Sequence, residues 1–322
     1  MRAILLLLIA MTLIACTPKI QKAGLENNKP VLTDTALFTS DGHRLPVKIW
    51  PAGVEEKAII IAVHGFNDYR NGFSFPASWW MQHGISTYAY DQRGFGETEN
   101  VGIWAPVELL VADLETLVRE VQKKKPGIPV YLLGESMGGA VVMAAVTKPG
   151  FPPVSGAILS APAVWGWESL NLGYRSLLWT TAHTIPYFKP SSRGLGVRAS
   201  DNTPMLQNLG ADPFFIKNTR IDSIYGLVGL MDHAYFSAEK MTLPTLVLYG
   251  ANDQIIPKKP VENVVSRLPE SADIVLYKEG WHLLMRDLQA ATVWRDILSW
   301  TETGTIPSGN KVTSFPLFAG NS

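Results

Sequence analysis

The chain has 322 residues, of which 47% are apolar and 17% charged, enough for one large α/β domain with an insertion or for two average domains. Its 28 basic and 28 acidic residues give no net charge, which argues against nucleic-acid binding, because such proteins present a basic surface. The single cysteine, Cys16, excludes an intramolecular disulfide and a cysteine-based zinc site.

Residues 1–15 have the pattern of a signal peptide. A short basic start precedes the apolar stretch Ala3–Ile14, which is too short for a comfortable membrane span. The segment Leu13-Ile14-Ala15-Cys16 resembles the lipobox of bacterial lipoproteins, and the resemblance implies cleavage before Cys16 and lipidation of its side chain. A plain signal peptide and an uncleaved anchor are the alternatives.

Residues 16–36 are predicted to be a lipidated tether. The stretch Thr17–Val31 is polar, contains two prolines and three lysines, and shows no periodicity. A lipid on Cys16 implies a protein held at the membrane of the bacterial cell envelope. Thr17, where aspartate is absent, permits sorting to the outer membrane in a bacterium with two membranes.

Strands and helices alternate along most of the remaining chain. Apolar runs predict strands at Leu45–Trp50, Ala58–Val63, Ile85–Tyr90, Val130–Leu133, Gly156–Ser160, Pro244–Tyr249 and Asp273–Tyr277. Helices are predicted at Ser74–His83, Pro106–Lys124, Ala140–Val146, Lys258–Arg267 and Asp287–Thr301. The alternation predicts an α/β fold with a mostly parallel central sheet and helices on both faces.

The alternation is interrupted at residues 162–241. This stretch shows no clear strand, is rich in aromatic residues, and is too long for a simple loop. We therefore expect a helical cap insertion over the sheet edge. The core then comprises residues 37–161 and 242–302, and residues 303–322 are expected to form a flexible tail.

A small-residue turn joins the fourth predicted strand to the helix that follows it. Its sequence, Gly134-Glu135-Ser136-Met137-Gly138, has the G-x-S-x-G pattern of a nucleophile elbow, which presents the serine hydroxyl beyond the sheet edge. Glycine is expected at 134 and 138 because a side chain there would collide with a neighbouring strand or helix. Ser136 is thus the candidate nucleophile.

An acid and a histidine follow Ser136 in the order that this kind of site requires. Asp253 comes directly after one predicted strand, and His282 comes 29 positions later, after the next. The order predicts a catalytic triad in which Asp253 orients His282 and His282 activates Ser136. Three other acids compete for the role of Asp253 but follow no predicted strand: Asp212, Asp232 and Asp287.

Five motifs carry a resemblance to the monoacylglycerol lipase and lysophospholipase branch of the α/β-hydrolases, over roughly Leu37–Trp300. They are His64-Gly65, Asp91-x-Arg93-Gly94-x-Gly96, Gly134-x-Ser136-Met137-Gly138-Gly139, Gly250-x-x-Asp253 and Gly280-x-His282. The resemblance implies the α/β-hydrolase fold and an oxyanion hole formed by the amides of Phe66 and Met137. One departure is Phe66-Asn67-Asp68, where relatives often carry a small residue, then glycine and glutamate.

The sequence therefore predicts a lipid-anchored serine hydrolase that cleaves carboxylic esters of monoacyl lipids, such as monoacylglycerols or lysophospholipids. The expected partners are a small-molecule acyl ester and a membrane, and we expect no cofactor, metal or nucleic acid. The aromatic insertion suits an apolar acyl chain, and Trp165 and Trp167 are its candidate substrate-binding residues.

Three alternatives remain open at this stage. A serine aminopeptidase of the same fold would need cap carboxylates for a free amino terminus, with Glu168, Asp212 and Asp232 as candidates. An amidase or acyltransferase would use the same triad. A lipid-binding lipoprotein without catalysis would leave the triad unused.

Some remaining polar residues are predicted to be structural. His64 is expected to hold the oxyanion loop by hydrogen bonds, and Glu135 to serve as a buried hydrogen-bonding residue. Asp91 and Arg93 are expected to form a charge pair with each other across a buried turn.

Overall fold

The structure is a computed structural model that describes residues 17–190 and 196–313. In these ranges ten strands form one sheet in the order β1-β2-β3-β5-β4-β6-β7-β8-β9-β10. Strands β4 to β9 pair in parallel, and β1, β2, β3 and β10 extend the two edges in antiparallel pairing. The strands are Val31–Leu32 (β1), Ala36–Phe38 (β2), Arg44–Trp50 (β3), Ala58–Val63 (β4), Ile85–Tyr90 (β5), Val130–Glu135 (β6), Gly156–Ser160 (β7), Thr245–Gly250 (β8), Asp273–Tyr277 (β9) and Lys311–Val312 (β10). The mostly parallel sheet is as predicted.

Helices cover both faces of the sheet. In chain order the α-helices of the described residues are Ser74–Trp80 (α1), Val107–Lys124 (α2), Met137–Val146 (α3), Leu172–Thr184 (α4), Thr203–Ala211 (α5), Ile221–Ser237 (α6), Lys258–Val265 (α7) and Ala290–Thr303 (α8). Short 3-10 turns lie at Arg70–Phe73, Met81–His83, Trp167–Ser169 and Ala238–Lys240.

The central strand β4 divides the core into two apolar layers. All six of its residues are buried, and successive side chains point to opposite faces. Ile59, Ile61 and Val63 belong to the layer that contains the buried sides of α2 and α3. Ile60 and Ala62 belong to the layer of α1 and α8. Burial on both faces explains the continuous apolar run in the sequence.

The predicted insertion is helical in its described part. Between β7 and β8 the chain forms α4, α5 and α6, and no strand occurs among the described residues there. Helix α6 packs against α3, the helix that follows the elbow, so the insertion lies over the carboxyl ends of the central strands. We call this insertion the cap. Within the described residues, no helix is both long and apolar enough to span a membrane.

The structure adds regular elements at both ends of the chain that the sequence analysis did not predict. Strands β1 and β2 fall within residues 16–36 or at its boundary, where a tether was expected. Strand β10 pairs with β9 inside the expected tail, Lys311 lying opposite Val275. These strands have two or three residues, too few for an alternating pattern to be recognised. Helix α8 also begins at Ala290, three residues later than predicted.

Candidate active site

Ser136 lies at the sharp turn between β6 and α3. Its backbone is strained, with φ 53° and ψ −116°, a combination that non-glycine residues rarely adopt. A Cβ built on Gly134 would lie 2.4 Å from the Gly138 carbonyl oxygen, and one built on Gly138 would lie 1.9 Å from the Val63 carbonyl oxygen. Both glycines are therefore required by close backbone approach, which confirms the expectation for this turn.

Asp253 and His282 are joined by a hydrogen bond. His282 Nδ1 lies 2.8 Å from Asp253 Oδ2, and the Asp253 side chain is completely buried. The other oxygen, Oδ1, accepts the amides of Ile255 at 2.7 Å and Ile256 at 3.0 Å. A carboxylate fixed in this way holds the proton on Nδ1 and leaves Nε2 of the imidazole as an acceptor.

Ser136 and His282 line one cavity of about 780 Å³ between the core and the cap. Most of its wall is aliphatic or aromatic, and much of that wall comes from the cap helices α4 and α6. Among the described lining residues, the acidic and basic ones besides His282 are Asp68, Glu135 and Arg286. A mostly apolar cavity with a few polar groups at one place is typical of a site for a small apolar ligand.

The loop after β4 approaches Ser136 from the other side. A Cβ built on Gly65 would lie 3.4 Å from the Ser136 Cβ atom. Behind this loop, His64 Nδ1 lies 2.8 Å from the Gly65 carbonyl oxygen, and its Nε2 accepts the Gln92 amide at 3.0 Å. Burial is the main cause that lowers the pKa of His64, so the ring is neutral and donates from Nδ1. The structural role predicted for His64 is confirmed.

The unusual segment Phe66-Asn67-Asp68 ties this loop to the cap. Asn67 has φ 67°, and its carbonyl oxygen accepts the amide of Ile216 in the cap at 2.9 Å. Its side-chain Nδ2 donates to Thr219 Oγ1 at 2.7 Å. The Phe66 ring packs edge-on against Phe95, with ring centroids 5.6 Å apart. The departure from the family pattern therefore creates a contact between loop and cap.

A buried ion cluster lies beside Ser136. Arg286 Nη2 lies 2.6 Å from Asp68 Oδ2 and 2.7 Å from Glu135 Oε2, and all three side chains are nearly inaccessible. Burial raises the pKa of Glu135, and the Arg286 guanidinium opposes part of that rise. Asp68 also accepts the amide of Tyr69 at 2.8 Å. The cluster connects the loop after β4, the turn at Ser136 and the segment after His282.

Comparison with known proteins supplies the family. Residues 54–289, well over half of the chain, match the family described as serine aminopeptidase, S33. The chain belongs to this family. The human monoglyceride lipase is 25% identical over 293 residues, covering 85% of this chain and 91% of the human protein. A monoacylglycerol lipase from Mycolicibacterium smegmatis is 26% identical over 267 residues, covering 80% of this chain and 93% of the relative.

Solved structures agree on the fold of this family member. A soluble variant of the Saccharomyces cerevisiae monoglyceride lipase, in complex with a substrate analogue, superposes with a TM-score of 0.72 at 21% identity. The superposition covers 90% of this chain and 99% of the yeast chain. The predicted α/β-hydrolase fold is thereby confirmed.

The two tryptophans predicted to bind substrate occupy different environments. Trp165 lines the cavity that contains Ser136. Trp167 is not among its lining residues; it lies in a separate groove on the outside of the cap, edge-on to Tyr225 with ring centroids 5.2 Å apart. They follow the end of β7 by five and seven positions, so spacing alone did not distinguish them.

The competing acids do not line the cavity and have other partners. Asp212 accepts the Tyr69 hydroxyl at 2.6 Å, and Asp232 accepts the Glu168 amide at 2.9 Å. Asp287 accepts the Ser200 hydroxyl at 2.6 Å and the Trp281 amide at 2.7 Å. Among the described residues, no group of three or more histidines, cysteines or acids is placed to hold a metal ion.

The predicted charge pair between Asp91 and Arg93 was wrong. Arg93 pairs with Asp41 and Asp113, each at 2.7 Å, whereas Asp91 pairs with Arg70. Each charge is paired with an acid or base from another part of the chain, so the two are not paired with each other. Cys16, the predicted lipidation site, lies outside the described residues.

The ion pairs of Arg286 and Asp68 beside Ser136 were not predicted from the sequence. Arg286 directly follows the apolar run Leu283-Leu284-Met285, and a charged residue at the end of such a run signals a buried partner. Glu135 was expected to be a structural hydrogen-bonding residue, and its bond to Arg286 agrees with that prediction.

Proposed function

We propose that this carboxylic ester hydrolase cleaves esters of monoacyl lipids, with monoacylglycerols as the main substrates and lysophospholipids as the second class. One observation carries the proposal: Ser136 lines the same largely apolar cavity of about 780 Å³ as His282, which is hydrogen-bonded to Asp253. The names of the human and mycobacterial relatives support the glycerol ester as substrate.

The proposed reaction proceeds through an acyl-enzyme. Ser136 Oγ attacks the ester carbonyl carbon while His282 Nε2 takes its proton, and Asp253 stabilises the imidazolium that forms. His282 then delivers the proton to the leaving alcohol as the C–O bond breaks. A water molecule, deprotonated by the same imidazole, attacks the acyl-enzyme and releases the fatty acid and the free serine.

The amides of Phe66 and Met137 are the proposed donors to the oxyanion. Met137 is the first residue of α3, where helix geometry leaves the amide without a partner inside the helix. Helix α3 begins at the site, so its positive end also favours the negative charge that develops on the substrate oxygen.

The carboxylates around the cavity do not favour an aminopeptidase. A free amino terminus would need an unpaired acid on the cavity wall. Among the described residues the acids there are Asp68 and Glu135, and both already pair with Arg286. The cap acids proposed for that role, Glu168, Asp212 and Asp232, do not line the cavity.

A substrate panel tests this proposal. Purified protein is given 1-monoacylglycerols of two to eighteen acyl carbons, lysophosphatidylcholine and aminoacyl amides, with Ser136→Ala as the control. We expect the monoacylglycerols of medium or long chain to be the best substrates and the control to be inactive. Faster release from aminoacyl amides would contradict it. Failure of a fluorophosphonate probe to label the wild type would favour a non-catalytic lipid-binding protein.

We also propose that Cys16 carries lipid and holds the enzyme in the bacterial cell envelope, on the outer membrane where there are two. The support is the lipobox-like Leu13-Ile14-Ala15-Cys16. We expect the wild type in the membrane fraction and Cys16→Ala to be released or misprocessed. Mass spectrometry that finds an unmodified mature N-terminus would contradict this.

A further inference from the structure

The first described residues lie across the junction between core and cap. We call residues 17–21 the strap. The Lys19 amide donates to Asp222 Oδ2 on cap helix α6 at 3.0 Å. Ile20 bridges to Trp104 of the core, and the Gln21 amide donates to the Trp104 carbonyl oxygen at 2.8 Å. The strap therefore binds both parts of the molecule, although it belongs to the segment predicted to be a free tether.

The strap is close to the mouth of the cavity. Asp222, which is only 1% exposed, also pairs with Arg220 at 2.5 Å. The Arg220 guanidinium lies 4.5 Å from the centre of the Tyr187 ring. The neighbour of Tyr187 is Phe188, which lines the cavity and is 56% exposed. A residue that both lines a cavity and faces solvent lies at its mouth, so the contacts run from the strap to the mouth.

The mouth is surrounded by exposed apolar side chains of the cap. Helix α4 buries only Ala182, although it has four large apolar side chains that are more than half exposed. We call the following exposed residues the cap rim: Leu172, Tyr174, Leu177, Ile185, Tyr187 and Phe188. Exposed apolar side chains grouped around a cavity mouth mark an interaction surface.

The charge around the cap rim suits an anionic lipid surface. Between Glu168 and Asp201, the described residues include Arg175, Lys189 and Arg198 and no aspartate or glutamate, whereas the whole chain has equal numbers of both signs. Basic side chains beside an apolar surface favour docking at a membrane interface, because apolar groups enter the acyl boundary while the basic groups meet anionic headgroups.

The strap limits the reach of a lipid on Cys16. Cys16 precedes Lys19 by three residues, which span at most about 11 Å when fully extended. A tether free up to residue 36 would instead allow about 70 Å. A lipid anchor joined to the strap by so short a segment must hold the adjacent part of the cap against the membrane.

We propose that the cap rim docks on the membrane leaflet that holds the Cys16 lipid, and that the strap fixes this orientation so that the cavity mouth opens onto the lipid surface. The occupant of the apolar rim is thus the bilayer and not a second copy of the chain. This inference rests on the lipidation of Cys16 proposed above. A monoacyl substrate would then pass from the leaflet into the cavity without crossing water.

A single-cysteine reporter tests the docking. Because Cys16 is blocked when acylated and is the only natural cysteine, Tyr187→Cys provides one labelling site on the rim. Phe75→Cys on α1 of the core, where phenylalanine is 64% exposed, is the matched control. Each acylated protein carries an environment-sensitive fluorophore in vesicles of phosphatidylethanolamine and phosphatidylglycerol. We expect brominated lipids to quench the label at 187 at least threefold more than the label at 75, and aqueous iodide to do the reverse.

Three other results of the quenching experiment can be told apart. Equal iodide quenching at both positions in floated vesicles would overturn the docking while leaving the anchor intact. Shielding of position 187 from both quenchers, increasing with protein density, would indicate a second copy and also overturn it. Absence of the protein from the floated vesicles would mean that the anchor itself fails. Turnover of a water-soluble ester, measured on the same samples, reports separately on the hydrolase.

Lengthening the segment between Cys16 and the cap contacts of the strap tests whether the strap fixes the orientation. Twenty Gly and Ser residues inserted between Thr17 and Pro18 would release the anchor from the cap without altering the cavity. We expect turnover of vesicle-embedded monoacylglycerol to fall at least threefold and turnover of a water-soluble ester to stay within 1.5-fold. Equal turnover of the embedded substrate by both proteins would overturn the role of the strap.

Discussion

Asn67 Nδ2 donates a hydrogen bond to Thr219 Oγ1 across 2.7 Å, and this bond joins the loop beside Ser136 to the cap. The Asn67 carbonyl oxygen accepts a second bond from the cap, from Ile216. The neighbouring amide, that of Phe66, is one of the two proposed oxyanion donors. The cap therefore helps to position a group that would act on the transition state, as well as forming the wall of the cavity.

Removing this bond should affect catalysis more than stability. Thr219→Val keeps the shape of the side chain but removes its hydroxyl, so the loop loses one of its two cap contacts. We expect kcat to fall about tenfold, less than the 10²–10³ reported for complete loss of an oxyanion donor, and KM to change little. Steady-state kinetics on a soluble ester measure both. Thr184→Val, an exposed threonine of α4, is the control; equal kcat for the two variants would contradict this role.

Asp253→Asn should remove most of the activity without unfolding the protein. An amide at Oδ2 would donate to His282 instead of accepting from it, which favours the wrong tautomer, while the amides of Ile255 and Ile256 could keep a carbonyl acceptor. In a serine protease the same change lowers kcat by about 10⁴, and we expect a similar loss. Asp232→Asn, outside the cavity, should keep activity within threefold. The opposite ranking of the two variants would reassign the acid.

Arg286→Met should strongly destabilise the fold. It would leave Asp68 and Glu135 buried together without their common counter-charge, and loss of one partner of a buried pair typically costs about 3–5 kcal/mol. Because burial already raises the pKa of Glu135, protonation relieves part of the cost at low pH. The loss of unfolding free energy should therefore be larger at pH 8 than at pH 5. Urea unfolding at both values measures it. Arg119→Met, at an exposed ion pair, should cost less than about 1 kcal/mol.

The raised pKa of Asp287 predicts a second dependence of folding stability on pH. Burial raises its pKa from 3.8 to about 6, so the folded state binds a proton that the unfolded state has released between about pH 4 and pH 6. Stability from this group is present below pH 4 and is lost as the pH rises to 6. Asp287→Asn should remove this loss. Melting temperatures of both proteins at pH 4.5 and 7.5 should show a smaller decrease for the variant, and parallel decreases would contradict the assignment.

The sequence predicted those features that depend on local pattern. The buried strands were recognisable because apolar residues continue along them, and the elbow because Gly134 and Gly138 have no room for a side chain. Asp253 and His282 could be placed because each follows a strand, and the carboxyl ends of parallel strands meet at one edge of the sheet. Their catalytic roles stay a prediction until the variants are measured.

Other features depend on contacts between distant positions. Arg286 and Glu135 are 151 residues apart, and the Lys19 amide and Asp222 are 203 apart, so no spacing rule connects them. Arg93 shows the same difficulty: its partners Asp41 and Asp113 lie 52 and 20 positions away, whereas Asp91 is only two positions away. Partner choice among buried charges is decided by packing, which pattern alone does not contain.

Acyl-chain preference should distinguish the two cap tryptophans. Trp165 lines the cavity, whereas Trp167 lies in the outer groove against Tyr225. Each buried methylene of a substrate contributes about 0.8 kcal/mol, or about fourfold in kcat/KM, as long as the wall touches it. Trp165→Ala removes part of that wall, so the increase of kcat/KM with chain length should become shallower. Trp167→Ala should lower the melting temperature but keep the slope of the profile. Hydrolysis of monoacylglycerols of four to sixteen carbons, together with melting curves, measures both effects. If Trp167→Ala flattens the profile and Trp165→Ala does not, the acyl chain occupies the outer groove and the cavity assignment is wrong.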